Sequence, residues 1–193
     1  MDPQASVVQV ATELAGLTGV DVYAIDDEVE LLVNGVSAGR KPAGAAAQNK
    51  ASFDVVYQPG SIEAVGYTNG AETGRTRLAT AARPAALRVT SDRSVIQAGC
   101  GDLAYVTIEI QDQHGVPVKH GEPLISVEVS GAGELIAIGS GDPLSEESYV
   151  GSQHKAYHGR LLAIVRSAAS AGGVKLTARA EGLPAGAVEL QVR

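Results

Sequence analysis

Along most of this chain, polar and apolar residues take turns singly, and the stretches that do so are separated by residues that reverse the backbone. Ala104 to Gln111 (AYVTIEIQ) alternates strictly, and Leu124 to Ser130 (LISVEVS) and Val174 to Glu181 (VKLTARAE) do nearly the same. Successive side chains of a strand point to opposite faces, so a period of two predicts half-buried β-strands and leaves little room for helices. The punctuation agrees: 23 glycines and 8 prolines are spread between short apolar runs in 193 residues. Asn34-Gly35 and Asn69-Gly70 are the strongest reversal signals, because both residues tolerate the positive φ of a type I′ hairpin turn.

Val20 to Val33 (VDVYAIDDEVELLV) reads as two strands around a turn at Asp26-Asp27. Ala51–Val56, Ser61–Tyr67 and Glu72–Leu78 are the next candidates, giving six or seven strands over residues 1–80. Residues 5–17 (ASVVQVATELAGL) suit a strand or a helical face, and strand is preferred. Ala79 to Ala86 (ATAARPAA) has small residues, a proline and no apolar period, as expected of a domain boundary. Eight further strands are predicted beyond it: Leu87–Thr90, Val95–Ala98, Ala104–Gln111, Leu124–Ser130, Glu134–Ser140, Gly159–Ser167, Val174–Glu181 and Ala187–Val192. Short strands at this spacing predict an immunoglobulin-like sandwich. The expected architecture is therefore all-β, with two tandem immunoglobulin-like β-sandwich domains over residues 1–80 and 84–193.

Length and charge narrow the function. A stand-alone (β/α)₈ barrel needs roughly 200 to 250 residues and eight helices, which this strand-rich chain does not supply. The formal net charge is −7 and the basic residues are scattered, so the basic stripe that grips a phosphate backbone is missing and nucleic acid is excluded as a partner. No apolar run is long enough to span a membrane as a helix, and Met1-Asp2-Pro3 does not open a secretory signal. The compartment is left open. The lone cysteine, Cys100, cannot close an intrachain disulfide and is expected to be buried or half-buried.

Candidate chemistry is sparse. Glycoside cleavage needs two carboxyl groups about 5 to 10 Å apart, and the adjacent acids are Asp26-Asp27 and Glu146-Glu147. The first pair is expected in a solvated turn, where aspartates hydrogen-bond their own backbone. The second lies in Gly141 to His158 (GDPLSEESYVGSQHKAYH), a long irregular segment of the kind that often faces a partner. His154 and His158 stand four apart there, near Asp142, Ser145, Ser148 and Ser152, but with neither a nucleophile elbow nor a third metal ligand nominated by spacing. A hydrogen-bonded loop packed on the sandwich or on a neighbouring domain is the expected reading. His114 and His120 flank a Gly/Pro turn, and Gly131-Ala132-Gly133 and Gly139-Ser140-Gly141 open no helix that could cradle a phosphate.

Two stretches carry a family resemblance. VDVYAIDDEVELLVNGVSAGRK (Val20 to Lys41) with FDVVYQPGSIEAVGYTNG (Phe53 to Gly70) resembles the β-sandwich module that follows the catalytic barrel in bacterial β-galactosidases of glycoside hydrolase family 2. Ala82 to Val118 with Gly139 to Ser167 is similar to the immunoglobulin-like domain at the carboxyl end of those enzymes. The resemblance covers about residues 20–192 in the same module order, while residues 1–19 match nothing nameable. It implies a parent enzyme in which two glutamates on a (β/α)₈ barrel perform retaining hydrolysis. Neither glutamate motif can be placed on this sequence, so no catalytic, cofactor-binding or metal residue is assigned.

The expected role is thus a catalytically silent carboxyl-terminal region of a β-galactosidase-like enzyme, packed on the absent barrel or a dimer partner. Its partners would be other domains of the parent glycosidase, with a homo-oligomer possible through that parent. The alternative is an immunoglobulin-like module that holds carbohydrate or a cell surface, with Tyr149 and Tyr157 as stacking residues. Against it stands the absence of tryptophan, in a chain with only 4% aromatic residues. A third reading, a small hydrolase using His154 or His158, rests on spacing alone. Under the leading role, Gly139 to Lys155 is expected to contact another domain.

Overall fold

The computed structural model describes residues 7–14 and 17–193, and side-chain environments from Thr18 onward. The chain divides into two compact units between Thr80 and Ala81. Among the described residues the first holds seven strands: β1 (Val7–Leu14), β2 (Leu17–Tyr23), β3 (Glu28–Val33), β4 (Val36–Pro42), β5 (Lys50–Val56), β6 (Ser61–Thr68) and β7 (Ala71–Ala79). They form a three-stranded sheet, β1-β2-β5, and a four-stranded one, β4-β3-β6-β7, with every pairing antiparallel. The ambiguous amino-terminal stretch is a strand where described, because Val7 to Leu14 pairs residue by residue with β2. Inward residues Val20, Val22, Val29, Leu31, Phe53 and Ala64 form one core cluster, the alternation having set which face of each strand is apolar.

Both Asn-Gly pairs make the predicted turns. Asn34 and Gly35 have φ of 52° and 79°, and Asn69 and Gly70 have 52° and 80°, the sign a two-residue I′ hairpin requires. Asn34 does more than turn: its Oδ1 accepts from Ser61 N at 2.7 Å, and its Nδ2 donates to Pro59 O at 3.2 Å.

The second unit holds nine strands: β8 (Pro84–Ser91), β9 (Val95–Ile96), β10 (Leu103–Asp112), β11 (Leu124–Gly131), β12 (Gly133–Gly139), β13 (Gln153–Lys155), β14 (Arg160–Ser167), β15 (Gly172–Ala180) and β16 (Gly186–Val192). One sheet runs β12-β14-β10-β8, the other β13-β11-β15-β16-β9, and only the β16–β9 pair is parallel among the described strands. Ile96, Val106, Ile108, Ile110, Ile125, Leu161, Val165 and Leu176 belong to one buried cluster.

Two expectations change here. Part of the small-residue stretch read as the domain boundary is strand, since Pro84 and Ala86 pair with Asp112 and Gln111 of β10. Pro84 opens an edge strand, where a missing N–H costs no ladder bond. The segment expected to be wholly irregular contains β13, whose His154 pairs with Ile125 of β11. Three residues are too few to show a period.

Candidate functional site

Both Asp26 and Asp27 lie in the bend between β2 and β3, as expected, but Asp26 is not solvated: it is 8% exposed. Its Oδ1 accepts from Thr73 Oγ1 at 2.5 Å and Thr68 Oγ1 at 3.3 Å. Asp27 Oδ2 accepts from Asn69 N at 2.9 Å. The two neighbours therefore clamp the β6–β7 hairpin from one bend, and their carboxyl groups are spent on that hairpin.

Two further acids are buried in the second unit. Glu109, on the outward face of β10, accepts from Arg160 Nε at 2.9 Å, Arg160 Nη2 at 2.7 Å and Gln111 Nε2 at 2.8 Å. Burial pushes its carboxyl up, but the bonds from Gln111 and Arg160 outweigh burial and hold it below the usual carboxylate range. Asp112 accepts from the backbone N–H groups of Ala82, His114 and Val116 at 2.8 to 2.9 Å. The Ala82 bond first, and then against burial the Val116 and His114 bonds, lower its pKa. The acid of a glycosidase must instead be raised, so that it carries a proton to the leaving group. Each of these carboxylates has its acceptor positions filled from within.

In the carboxyl-terminal half of the irregular segment, His154 is fully buried, which corrects the expectation of a loop histidine. Its Nδ1 lies 2.8 Å from Lys155 O and 3.4 Å from Glu147 Oε2, and Nε2 has no partner. Tyr149 stacks on it with ring centroids 5.9 Å apart. Glu147 Oε2 also accepts from Lys155 N at 3.1 Å, closing the segment on itself. Two of the nearby hydroxyls are occupied: Ser145 Oγ accepts from Glu147 N, and Ser148 Oγ bonds both the N–H and the carbonyl of Val150. Asp142 Oδ1 accepts from Leu144 N. No serine here is hydrogen-bonded to a histidine, so the serines, His154 and Asp142 do not assemble into a Ser/His/Asp triad.

The two histidines are not brought together as a ligand pair either. His158 sits in a turn at φ 47°, followed by Gly159 at 72°, bridging Tyr157 to Arg160, with its ring edge-on to Tyr157. Among the described residues, no group of three His, Cys, Asp or Glu side chains could hold a metal ion. His114 and His120 are exposed. Cys100 is exposed too, contrary to expectation, in the turn before β10.

Several concavities remain, among them one of about 410 Å³ lined by Asp142, Ser145, Glu146 and Glu147 and one of about 800 Å³ lined by Ser126, Glu128, Glu134, Thr177 and Arg179. A groove of about 570 Å³ lies on the outer face of β12, β14 and β10, lined by Thr107, Ala137, Tyr149, Arg160, Leu162 and Ile164 among others. Gly139 shapes one wall, since a Cβ there would stand 2.5 Å from Tyr149 Cδ1. The sequence reading missed this groove, although the signal was present: RLLAIVRS in β14 has five apolar residues in a row where a one-sided strand alternates.

The decisive comparison is with protein families. Residues 87–189 match glycoside hydrolase family 2 C-terminal domain 5. The chain belongs to this family. Residues 16–74 of the family 2 chain match a second family, described as a domain of unknown function. Among curated relatives, β-galactosidase BoGH2A of Bacteroides ovatus is 34% identical over 161 residues, which is 83% of this chain and 19% of the relative. Among solved structures, a glycosyl hydrolase family 2 member from Bacteroides cellulosilyticus superposes with a TM-score of 0.87 at 32% identity, covering 92% of this chain and 23% of that one. A β-glycosidase from Bacteroides vulgatus gives 0.87 at 25% identity, covering 98% and 25%. The family 2 chain thus spans about a fifth to a quarter of these proteins, as a non-catalytic carboxyl-terminal part of larger glycosidases.

Proposed function

We propose that this chain is the accessory carboxyl-terminal region of a β-galactosidase-type enzyme, packing on the enzyme's other domains and hydrolysing no glycoside by itself. The supporting observation is the lopsided coverage of BoGH2A, 83% of this chain against 19% of the relative. The chemistry agrees, because hydrolysis needs a preorganised pair of carboxyl groups, one of them protonated. Here Glu109 and Asp112 are both lowered by internal donors. The test has two arms. The purified 193-residue chain and the product of its complete reading frame are assayed on nitrophenyl galactoside and nitrophenyl glucuronide. Turnover of the galactoside by the longer protein alone is expected. Turnover by the short chain, abolished by Glu109→Gln or His154→Ala, overturns the accessory role, and a longer protein that cleaves only the glucuronide overturns the β-galactosidase assignment.

A further inference from the structure

The two sheets of the second unit present different outer faces. On the β13-β11-β15-β16-β9 sheet the outward positions include Ser126, Glu128, Lys175, Thr177, Arg179 and Glu189, a polar and charged set. That is how a sheet facing water reads. On the β12-β14-β10 side the outward positions include Tyr105, Thr107, Ala137, Leu162 and Ile164, with Tyr149 laid beside them and the Glu109–Arg160 and Glu134–Arg166 pairs at their margins. Register puts them side by side, Tyr105 opposite Ile164, Thr107 opposite Leu162, and Ala137 opposite Ile164. Tyr105 is 42% and Leu162 39% exposed. Leu161 to Val165 is a continuous apolar run, the pattern of a strand covered on both faces. Its inner face is covered by the core; the outer face is the groove.

We infer that this outer face is where the chain docks on the body of its own glycosidase polypeptide, against a protein surface with an apolar centre and an acidic rim. The inference rests on the accessory role proposed above, and three observations choose the occupant. On this face Arg160 is ion-paired with Glu109 and Arg166 with Glu134, each at 2.7 Å, which leaves Arg88 as a single-charge positive excess in a chain of net charge −7. A second copy pairing through the same patch would set that excess against itself, whereas an acidic rim complements it. Sugars require several convergent polar groups, and the floor of the groove is mostly aliphatic and aromatic. Finally, the relatives are roughly four to five times as long as the matched part, which covers 19% and 23% of their lengths. A tether to that body raises the effective concentration to roughly millimolar, so a patch of this modest size is enough to stay docked.

Site-resolved thiol labelling tests this. Leu162→Cys and, separately, Ile164→Cys are made in a Cys100→Ser background, both in the 193-residue chain and in the protein encoded by the complete reading frame. Thr177→Cys on the polar sheet is the control. Labelling at 162 and 164 is expected to be at least about tenfold slower in the longer protein, the consequence of covering a leucine-sized apolar side chain, with position 177 unchanged. Equal rates at 162 and 164 in a longer protein that does contain a glycosidase body overturn the docking face and leave the accessory role standing. Slow, concentration-dependent labelling of the short chain overturns it in favour of a second copy. A reading frame without a glycosidase body overturns both.

Discussion

Gly66 of β6 sits directly beneath the Asp26 carboxyl group, and replacing it with alanine gives a graded test of how the first unit is clamped. A Cβ at Gly66 would overlap Asp26 Oδ2, lie 2.7 Å from Asp26 Cγ and come within 3.1 Å of Thr73 Oγ1. The backbone of Gly66 lies outside the left-handed region, so alanine is conformationally admissible and the conflict is with the carboxyl group alone. Asp26 has a short side chain, 8% exposed, and cannot swing into water without leaving Thr73 and Thr68. Losing hydrogen bonds to such a group costs about 1.5 to 3 kcal/mol. Alanine returns about 0.5 to 1 kcal/mol by restricting the unfolded chain, so Gly66→Ala should destabilise the first unit by about 1 to 2 kcal/mol.

In an Asp26→Ala background the obstacle is gone. Gly66→Ala should there be neutral or stabilising by up to about 1 kcal/mol, which makes the coupling between the two sites about 2 kcal/mol. The chain has no tryptophan and the two units each carry tyrosines, so bulk fluorescence would not separate them. Hydrogen exchange read on peptides from β3 and β6 across a urea series isolates the first unit. Equal losses on Gly66→Ala in both backgrounds would show that Asp26 is not what the glycine makes room for, and the clamp would have to be abandoned.

The second unit offers two shorter tests. The Asp112 pKa is lowered in the folded protein by the N–H groups of Ala82, Val116 and His114, so its stabilisation is present above the unfolded value of about 3.9 and fades as pH falls below it. Asp112→Asn should lower the melting temperature at pH 7 and flatten its dependence between about pH 4 and 2; parallel profiles for the two proteins would refute this. At the β13–β14 turn, His158 holds φ 47° and Gly159 φ 72°, and a Cβ on Gly159 would overlap the Val118 carbonyl oxygen. His158→Asn should stabilise by about 0.5 kcal/mol, since asparagine tolerates that conformation better, and Gly159→Ala should destabilise markedly in thermal unfolding. A melting temperature that falls for the asparagine variant or is unmoved by the alanine variant would count against a type I′ turn.

What the sequence disclosed, and what it withheld, follows from how far each signal reaches along the chain. Val106, Ile108 and Ile110 face inward because their own neighbours alternate with them, and Asn34-Gly35 turns because its two residues accept positive φ; both are local facts. Asp26 shows the opposite case. Nothing near it in sequence says that Thr68 and Thr73, more than forty positions away, will close over it, so an aspartate in an acidic turn reads as solvated. His154 is buried because β11 and Tyr149 cover it, again by partners that spacing does not nominate. The groove differs from both. Its signal, the unbroken Leu161 to Val165 run, is as local as any alternation, yet it marks a strand without saying which side is the core. An apolar run fixes how many faces are covered. Which element covers the second face is written in a different stretch of polypeptide, and for β14 no described residue of this chain packs over Leu162 closely enough to bring it below 39% exposure. A strand patterned for burial on both sides but covered on one is what the proposed docking face requires of β14.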